Sequence, residues 1–593
     1  MRKCVLITFL SFILCGVEVC AKSMDFITIE TAGLNMFFTL SENKKVSFLY
    51  FGDRLVSDSR TTVLNKEYKL RRDGRPLIPE IFPTSGDFLD PALQLTHADG
   101  VFTTDLYYVE HNTINVDDNV SETIIRLKDK LYPLFVNVVF KAYKKENIIA
   151  QYIELENGEN DIVKIEKIAS AYLPLHRKSY YLTHFYGGWG AEMKMKEERL
   201  TPGTKSIEAR TGILTTESVN SSFMLSADAP AQEGTGEIYA GSLAWSGNYK
   251  MTFELDKYGM LHMVGGINPY ASMLLIEPGK KIKMPEMIWT YSSCGRGQIS
   301  RNYHDWCRQY ALAHGNEIRP VVLNSWEGTY FKFDEKKVKR MIDAAADFGI
   351  EMFVLDDGWF GNRNNDHQGL GDWFPNLDKL PHGINGLSKR IHDLGLKFGL
   401  WFEPEMVNED SNLYRNHPEW ILKTPHRKSC HGRNQYILDF SNPEVINYIA
   451  QAMMNVIDDS YISYIKWDMN RCMSEVYSSI HDVSSQGRVM HEYILGVYHL
   501  YEVLTNKYPD ILFESCASGG ARFDPGMLYY APQCWTSDDT DAIERLKIQY
   551  GTSLVYPLSS MGSHVSAIPN HQTFRNTPLE TRANVAYFGT FGY

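Results

Sequence analysis

The sequence contains few cysteines, and none of them are closely paired. Nine occur among 593 residues, and three of these fall within the first twenty positions. The other six are widely spaced and lack the Cys-x-x-Cys arrangement of zinc sites and redox motifs. There is also no His-x-His or His-Glu-x-x-His pattern. The sequence therefore indicates neither a metal site nor a dense disulfide framework, and no metal ligand is predicted.

Basic charge is also scarce. The chain has 60 Lys and Arg against 72 Asp and Glu, a formal net charge of -12, which disfavours nucleic acid as a partner. No Gly-x-Gly-x-x-Gly follows a strand-like run, and no phosphate-binding Gly-rich loop ends in Lys-Ser or Lys-Thr. Nucleotide chemistry thus has no support, and no cofactor is predicted.

Residues 1–21 have the features of an export signal peptide. Arg2 and Lys3 give it a positive start, residues 5–17 are uncharged and mostly apolar, and Val19-Cys20-Ala21 fits a cleavage site. The apolar run is too short for a stable membrane span, and no later segment is long and apolar enough. The sequence predicts a periplasmic or secreted protein without a membrane span, and a lipid anchor on the cysteine is an alternative.

The hydrophobic pattern changes near residue 300. Before that point, apolar residues come in short alternating or β-branched runs, such as 135–140 and 148–155, separated by turn signals such as Asn157-Gly158. Many short strands at close turn spacing predict an N-terminal antiparallel β-sandwich over residues 24–300. Two smaller β domains are the alternative.

After residue 300, strand-like runs alternate with helical periodicity. Asp334 can cap a helix whose apolar face runs to Phe348, Asn442-Pro443 can begin another, and Thr577 can begin one through a capping box. The candidate strands between helices are 320–325, 351–356, 397–402, 462–468, 511–515, 533–537, 553–558 and 586–592. Eight strand–helix repeats predict a (β/α)8 TIM barrel over residues 310–593 rather than a doubly wound sheet.

The carboxyl ends of these strands carry acidic and aromatic side chains. In a barrel these ends meet at one face, where active sites lie. Asp356 ends strand two, Asp468 ends strand four and Asp538 follows strand six. Two carboxylates between aromatic walls, without metal spacing, are what glycoside hydrolysis requires. Lys466 points to the same side of its strand as Asp468, and such a cation would keep that carboxylate ionised.

Five motifs after position 320 follow one another in a specific order. They are Leu355-Asp356-Asp357-Gly358-Trp359-Phe360-Gly361, Gly399-Leu400-Trp401-Phe402-Glu403-Pro404-Glu405-Met406-Val407, Tyr464-Ile465-Lys466-Trp467-Asp468-Met469-Asn470-Arg471, Glu514-Ser515-Cys516 with Gly519-Gly520, and Trp535-Thr536-Ser537-Asp538. In this order they resemble the α-galactosidases of glycoside hydrolase family 36. The β-rich first half also looks like the large sandwich of that family.

The resemblance implies a retaining, exo-acting α-galactosidase that cleaves terminal α-linked galactose from oligosaccharides such as melibiose and raffinose. It implies Asp468 as the nucleophile and Asp538 as the general acid/base, with Asp539 directed to the other face of its strand. The substrate-binding residues that it implies are Trp326, Asp356, Asp357, Trp401, Arg433, Lys466, Asn470, Cys516 and Gly519. Asp356 and Asp357 would hold the 4- and 6-hydroxyls of galactose.

Three alternatives stay open at this point. Cys516 and Gly519 would lie near the sugar 2-hydroxyl, and small residues there could admit a larger substituent, as in an α-N-acetylgalactosaminidase. A galactosyl transferase on the same fold and a non-catalytic carbohydrate-binding barrel are the others. Glu403 and Glu405 are interpreted as side chains that orient the site, and Trp359 and Trp467 as core.

The resemblance also bears on assembly and on the end of the chain. It implies a homo-oligomer, a dimer or tetramer, in which the sandwich of a neighbouring subunit can complete the pocket, with Trp189 and Asp53 as candidates. Strand eight ends at Tyr593. The family usually continues into an eighth helix and a C-terminal β domain, so the C-terminal end looks truncated and strand eight is expected to expose apolar surface.

Overall fold

A small antiparallel sheet opens the part of the chain that the computed structural model describes, residues 26–56, 79–84 and 89–593. Its strands are β1 (Phe26–Glu30), β2 (Leu34–Leu40) and β3 (Val46–Asp53). The predicted export signal lies outside the described residues. No helix within the described ranges is long and apolar enough to cross a membrane.

Sixteen further strands build the rest of the N-terminal half. They are β4 (Leu93–Thr96), β5 (Leu106–Asn115), β6 (Val120–Asp129), β7 (Leu134–Tyr143), β8 (Ile148–Asn157), β9 (Val163–His176), β10 (Tyr180–Tyr186), β11 (Lys194–Arg199), β12 (Gly203–Glu208), β13 (Val219–Ala227), β14 (Glu237–Leu243), β15 (Tyr249–Leu255), β16 (Met260–Ile267), β17 (Leu274–Ile276), β18 (Lys281–Lys283) and β19 (Met287–Ser292). One sheet has the order β11-β10-β13-β14-β19-β8-β7-β6-β5, with β18 beside β8, and the other has the order β12-β15-β16-β9-β17, with β4 beside β9.

These two sheets pack face to face. Phe223 on β13 meets Phe253 on β15 edge-on, with ring centroids 4.9 Å apart. Gly265 on β16 lies so close to β19 that an added Cβ would be 2.8 Å from the Met287 methyl carbon. Burying a Phe or Met side chain stabilises the fold by roughly 1.5–3 kcal/mol. The facing sheets confirm the predicted β-sandwich.

A closed ring of eight parallel strands forms the second half. In chain order the ring strands are β20 (Val322–Asn324), β21 (Met352–Leu355), β22 (Lys397–Phe402), β25 (Ile462–Trp467), β26 (Leu512–Ser515), β27 (Gln533–Trp535), β28 (Met561–His564) and β29 (Thr590–Gly592). A separate two-stranded sheet, β23 (Met406–Val407) and β24 (Tyr436–Ile437), is inserted between β22 and β25. β29 pairs with both β28 and β20, which closes the ring. The predicted (β/α)8 barrel is therefore confirmed.

Ten helices accompany these strands in the described part of the chain. They are α1 (Arg296–Trp306), α2 (Trp326–Thr329), α3 (Glu335–Asp347), α4 (Gly383–Asp393), α5 (Asn412–Asn416), α6 (Pro443–Asp458), α7 (Val489–Lys507), α8 (Pro525–Tyr530), α9 (Ala542–Ser553) and α10 (Leu579–Ala586). As predicted, Asp334 caps α3 by accepting from the Lys337 N–H, and Asn442 caps α6 by accepting from the Glu444 N–H. The predicted apolar face of α3 is wrong at its end: the helix stops at Asp347, and Phe348, its C-cap residue, is 85% exposed.

Two further local predictions are wrong. The seventh barrel strand is Met561–His564 and not 553–558. The apolar residues Leu554, Val555 and Tyr556 are instead buried in a cluster shared with the sandwich. The capping box of Thr577 does not form, because Pro578 occupies the N-cap position of α10 and the Thr577 hydroxyl has no hydrogen-bond partner.

The sandwich holds the barrel loop that follows β26. The Asn220 side-chain amide donates to the Phe523 carbonyl at 2.8 Å. The Thr216 hydroxyl donates to the Gly520 carbonyl at 2.9 Å and accepts from the Phe523 N–H at 2.8 Å. All these groups are buried, so each bond satisfies a polar atom that would be costly to leave unpaired. The position of this loop is thus set from outside the barrel.

Candidate active site

A cavity of about 390 Å³ opens at the carboxyl ends of the barrel strands. Val354 and Tyr464 lie in a buried cluster that fills the inside of the ring. Asp356 and Lys466 stand two residues further along the same strands, so the two-residue period of a strand directs them to the mouth of the ring. Ten of the eleven predicted site residues line the cavity: Trp326, Asp356, Asp357, Trp401, Arg433, Lys466, Asp468, Asn470, Cys516 and Asp538.

Lys466, Asp468 and Asn470 extend one face of β25 into the cavity. The Lys466 ammonium, whose residue is only 8% exposed, donates to Asp356 Oδ2 at 2.9 Å. The Asn470 amide donates to Asp468 Oδ2 at 2.9 Å, and the Met469 N–H donates to Asp468 Oδ1 at 2.8 Å. Trp401 Nε1 adds a longer contact of 3.3 Å to Asp468 Oδ2. The Asp468 carboxylate is therefore held through both oxygens.

The pKa of Asp468 lies below its usual value. Burial alone would raise it, but the charge of Lys466 and the hydrogen bond from Asn470 outweigh burial. Asp468 therefore stays ionised at neutral pH, and its carboxylate is available as a nucleophile.

Asp538, on the loop after β27, has the opposite protonation behaviour. The indole N–H of Trp189 donates to Asp538 Oδ2 at 2.9 Å, and that of Trp535 donates to Oδ1 at 3.1 Å. Burial, followed by the negative charge of Asp468, raises the pKa of Asp538 above its usual value. One cavity therefore holds two carboxyl groups whose surroundings shift their pKa values apart, which is the arrangement of a base or nucleophile beside an acid.

Two adjacent carboxyl groups lie at the end of β21. Asp356 Oδ2 accepts from the Asn324 amide at 2.8 Å as well as from Lys466. Asp357 pairs with Arg363, whose Nε lies 2.9 Å from Oδ1 and whose Nη2 lies 2.8 Å from Oδ2. Burial raises the pKa of Asp357, and Arg363 opposes that shift. These side chains present fixed acceptors to the cavity.

Glu403 and Glu405 occupy different places, although both follow β22. Glu403 lines the cavity, and its carboxyl accepts from Asn470 Nδ2 and Gln435 Nε2, both at 3.0 Å. Burial, followed by the charge of Asp468, raises the pKa of Glu403 to about 8. Glu405 lies beneath the cavity, where it binds Arg522 and accepts from the Trp467 indole.

Several predictions about individual residues can be checked against this geometry. Trp359 and Trp467 are fully buried core residues, as predicted. Asp539 does not line the cavity; its carboxyl accepts from the Asp541 N–H. Gly519, predicted to bind substrate, is not among the residues that line the cavity, and its contact with substrate stays a prediction. A Cβ there would be 2.6 Å from the Asp538 nitrogen, so this position lets two loops touch.

The cavity also has residues that the sequence analysis assigned differently or missed. Trp189 reaches it from the sandwich of the same chain, whose Asp53 does not line it. The contribution of a neighbouring subunit stays a prediction. Arg363 was missed, although it follows the Asp356-Asp357 motif closely. Outside the cavity lining, Glu192 was missed too, and no local pattern marks it, because its partner Ser537 is 345 positions away.

Two family models match the chain. The melibiase model covers residues 281–593. The model of the glycosyl hydrolase family 36 N-terminal domain covers residues 44–276. The melibiase model therefore covers the whole barrel together with the last two sandwich strands, β18 and β19.

Characterised relatives match most of the chain. Alpha-galactosidase AgaA of Geobacillus stearothermophilus is 43% identical over 531 residues, which span 86% of this chain and 72% of AgaA. Alpha-galactosidase Mel36A of Lactobacillus acidophilus is 37% identical over 593 residues, which span 94% of this chain and 80% of Mel36A.

Crystal structures agree with these matches. That of a variant of AgaA in complex with raffinose superposes with a TM-score of 0.92 at 38% identity, covering 96% of this chain and 83% of that one. A further variant of AgaA, in complex with stachyose, gives a TM-score of 0.93 at the same identity and coverage.

We expect Lys466→Met to destabilise the protein in a pH-dependent way. In the wild type, Asp468 has a lowered pKa, so its stabilising contribution is present at neutral pH and lost as the pH falls through that pKa. Without the ammonium, Asp356 stays buried without its ion-pair partner, and Asp468 loses the main charge that opposes burial, so the pKa of Asp468 rises and its ionisation opposes folding. Removing one partner of a buried pair costs about 3–5 kcal/mol.

Urea unfolding at pH 7.5 and pH 5 measures this effect. The loss of unfolding free energy in Lys466→Met should be larger at pH 7.5 than at pH 5. Lys389→Met is the control, because Lys389 forms an exposed pair with Asp393 and should change stability little at either pH. Equal stability of wild type and Lys466→Met at pH 7.5 would contradict this account.

Proposed function

The chain belongs to glycosyl hydrolase family 36, and we propose that it cleaves terminal α-linked galactose with Asp468 as the nucleophile and Asp538 as the acid/base. Both family models and the characterised relatives support α-galactoside hydrolysis, and the chain is a glycoside hydrolase. The relative AgaA has been crystallised with raffinose and with stachyose. Oligosaccharides of this kind are the proposed substrates.

The observation that carries the assignment of roles is the opposite shift of two pKa values in one cavity. Asp468 has a lowered pKa beside Lys466, whereas burial and the charge of Asp468 raise the pKa of Asp538. A nucleophile must be ionised and a general acid must carry a proton at the same pH. Only this assignment of the two residues gives both groups the protonation state that the first step needs.

The reaction proceeds in two balanced steps. In the first, an Asp468 oxygen forms a bond to the anomeric carbon while the glycosidic bond breaks. The Asp538 proton passes to the departing oxygen, which leaves as an alcohol. In the second, Asp538 takes a proton from water, the water oxygen bonds to the anomeric carbon, and the bond to Asp468 breaks. One water is consumed, and galactose is released with its configuration retained.

The hydrogen-bonding side chains around Asp468 and Asp538 are proposed to recognise the sugar. Asp356 and Asp357 are oriented by Lys466 and Arg363, so they can accept from the 4- and 6-hydroxyls without rearranging. A charged acceptor aimed at the axial 4-hydroxyl discriminates against glucose, because the wrong epimer leaves it unpaired. Trp401 and Trp326 provide apolar walls.

Azide rescue tests which aspartate has which role. Asp468→Ala and Asp538→Ala should each lower kcat/KM on melibiose, the latter by about 10²–10⁴-fold, which is the usual contribution of a positioned acid. In Asp468→Ala, azide takes the place of the nucleophile and should give β-galactosyl azide from an activated aryl galactoside. In Asp538→Ala, azide attacks the glycosyl-enzyme and should give α-galactosyl azide.

Product anomers are assigned by proton NMR. Asp410→Ala is the control, since the Asp410 carboxylate pairs with Arg415 on the surface and should leave activity unchanged. The reverse pattern of anomers would exchange the two roles. Full activity of Asp468→Ala would contradict the proposed mechanism altogether.

We expect galactose to be preferred over N-acetylgalactosamine. The Arg433 guanidinium donates to Asn470 Oδ1 at 2.5 Å and lies 3.3 Å from the Ser518 hydroxyl, which bridges the wall near Cys516. If the sugar 2-hydroxyl lies beside Cys516, as the family resemblance implies, this bridge would crowd a 2-acetamido group. The kcat/KM ratio of the two p-nitrophenyl α-glycosides should exceed about 100. A ratio near one, or transfer products that outweigh galactose in chromatography, would support the alternative activities instead.

Export is proposed from the N-terminal segment alone. Arg2, Lys3, the apolar residues 5–17 and Val19-Cys20-Ala21 support it. Expression of the full sequence in a bacterium should place activity in the periplasm or medium, with a mature N-terminus at Lys22. A sequence that begins at Lys22 should stay in the cytoplasm. Cytoplasmic activity with an uncleaved N-terminus would contradict export.

A further inference from the structure

We propose that Glu192, on the sandwich hairpin between β10 and β11, is a positioning residue for the acid/base Asp538. Its carboxyl fixes the residue before Asp538, so that the Asp538 proton is directed at the departing oxygen. This inference rests on the proposed function for the role of Asp538. It adds a residue from outside the barrel to the catalytic geometry.

The contact passes through one hydroxyl group. Ser537 Oγ donates to Glu192 Oε2 at 2.5 Å. The same Ser537 Oγ accepts from the Asp539 N–H at 3.1 Å. Ser537 and Asp539 flank Asp538 in the chain, so the Glu192 carboxyl anchors the backbone on both sides of the acid. On the hairpin itself, the Gly190 N–H donates to Glu192 Oε1 at 3.2 Å.

Close packing leaves the carboxyl no alternative position. A Cβ at Gly519 would lie 3.0 Å from Glu192 Oε1 and 2.6 Å from the Asp538 nitrogen. A Cβ at Gly187 would lie 2.4 Å from the Ala191 carbonyl oxygen, so the hairpin is a tight turn as well. Glu192 is only 1% exposed. It is wedged between the loops that follow β26 and β27.

The electrostatic surroundings of Glu192 show that its ionised carboxylate depends on the hydrogen bond from Ser537. Burial raises the pKa of Glu192 to about 7, and the Ser537 hydrogen bond and the Arg545 charge oppose that rise. Arg545 also donates to the carbonyls of Ser537 and Asp539, both at 2.6 Å. The loop of the acid is thus held by a carboxyl from the sandwich on one side and by a guanidinium from α9 on the other.

The same hairpin touches the acid directly. Trp189, three residues before Glu192, donates to Asp538 Oδ2 at 2.9 Å. A shift of the hairpin would therefore move both the backbone anchor and the partner of the carboxyl. Misplacing a reacting group by about 1 Å can cost roughly 10²-fold in rate.

Leaving-group dependence distinguishes positioning of the acid from general damage to the fold. Galactosyl fluoride has a leaving group that needs little protonation, whereas melibiose needs a proton on the departing oxygen. Glu192→Ala should lower kcat/KM on melibiose by about 10- to 100-fold and on α-galactosyl fluoride by less than about 3-fold. Glu192→Gln keeps an acceptor for Ser537 and should stay within about 5-fold of wild type on both substrates.

Glu198→Gln is the matched control. Glu198 lies on β11 and pairs with Lys205 within the sandwich, so both activities should stay unchanged. Equal losses of Glu192→Ala on both substrates would overturn the inference. If Glu192→Ala does not fold, Ser537→Ala removes the same hydrogen bond, and equal losses there would overturn it too. Wild-type protein without activity on either substrate would overturn the proposed function itself, and this inference with it.

Discussion

The buried ammonium of Lys466 is the charge on which the arrangement of the pocket depends. Carboxyl groups outnumber cations along the cavity lining, and taking several carboxylates out of water is unfavourable unless a counter-charge is near. Lys466 binds Asp356 directly and lowers the pKa of Asp468, which lies two residues along the same strand. Its own pKa is raised well above the usual value, chiefly by Asp356 against the effect of burial.

Asp538 differs because burial raises its pKa and no cation binds its carboxyl directly among the described residues. Two indole N–H groups bind it, and Asp468 repels its ionised form more than Lys466 stabilises it. A retaining glycosidase needs this asymmetry between its two carboxyls. The sandwich contributes to the surroundings of Asp538, because its residues Trp189 and Glu192 contact Asp538 and the neighbouring Ser537. The sandwich is therefore part of the catalytic geometry as well as a support for the barrel.

Much of the fold could be read from local patterns, and the errors have a common origin. Asp334 and Asn442 cap the helices that they were predicted to cap, since capping involves neighbouring residues alone. The seventh strand was misplaced because Leu554, Val555 and Tyr556 look like a buried strand in sequence, yet they are buried by contact with the sandwich. Gly519 was assigned to the sugar by resemblance, which stays a prediction, and its close packing against the loop of Asp538 is visible only in the structure.

The sequence by itself determined the order of sandwich and barrel, and which carboxyl groups reach the mouth of the barrel. The physical reason is that strand periodicity directs alternate residues to one face, and the ends of parallel strands meet there. Only the tertiary structure decided which carboxyl group keeps its proton and which residues hold the acid in place. Those properties depend on burial and on distances to Lys466, Trp189 and Glu192, and the last two lie more than 300 residues from Asp538 along the chain.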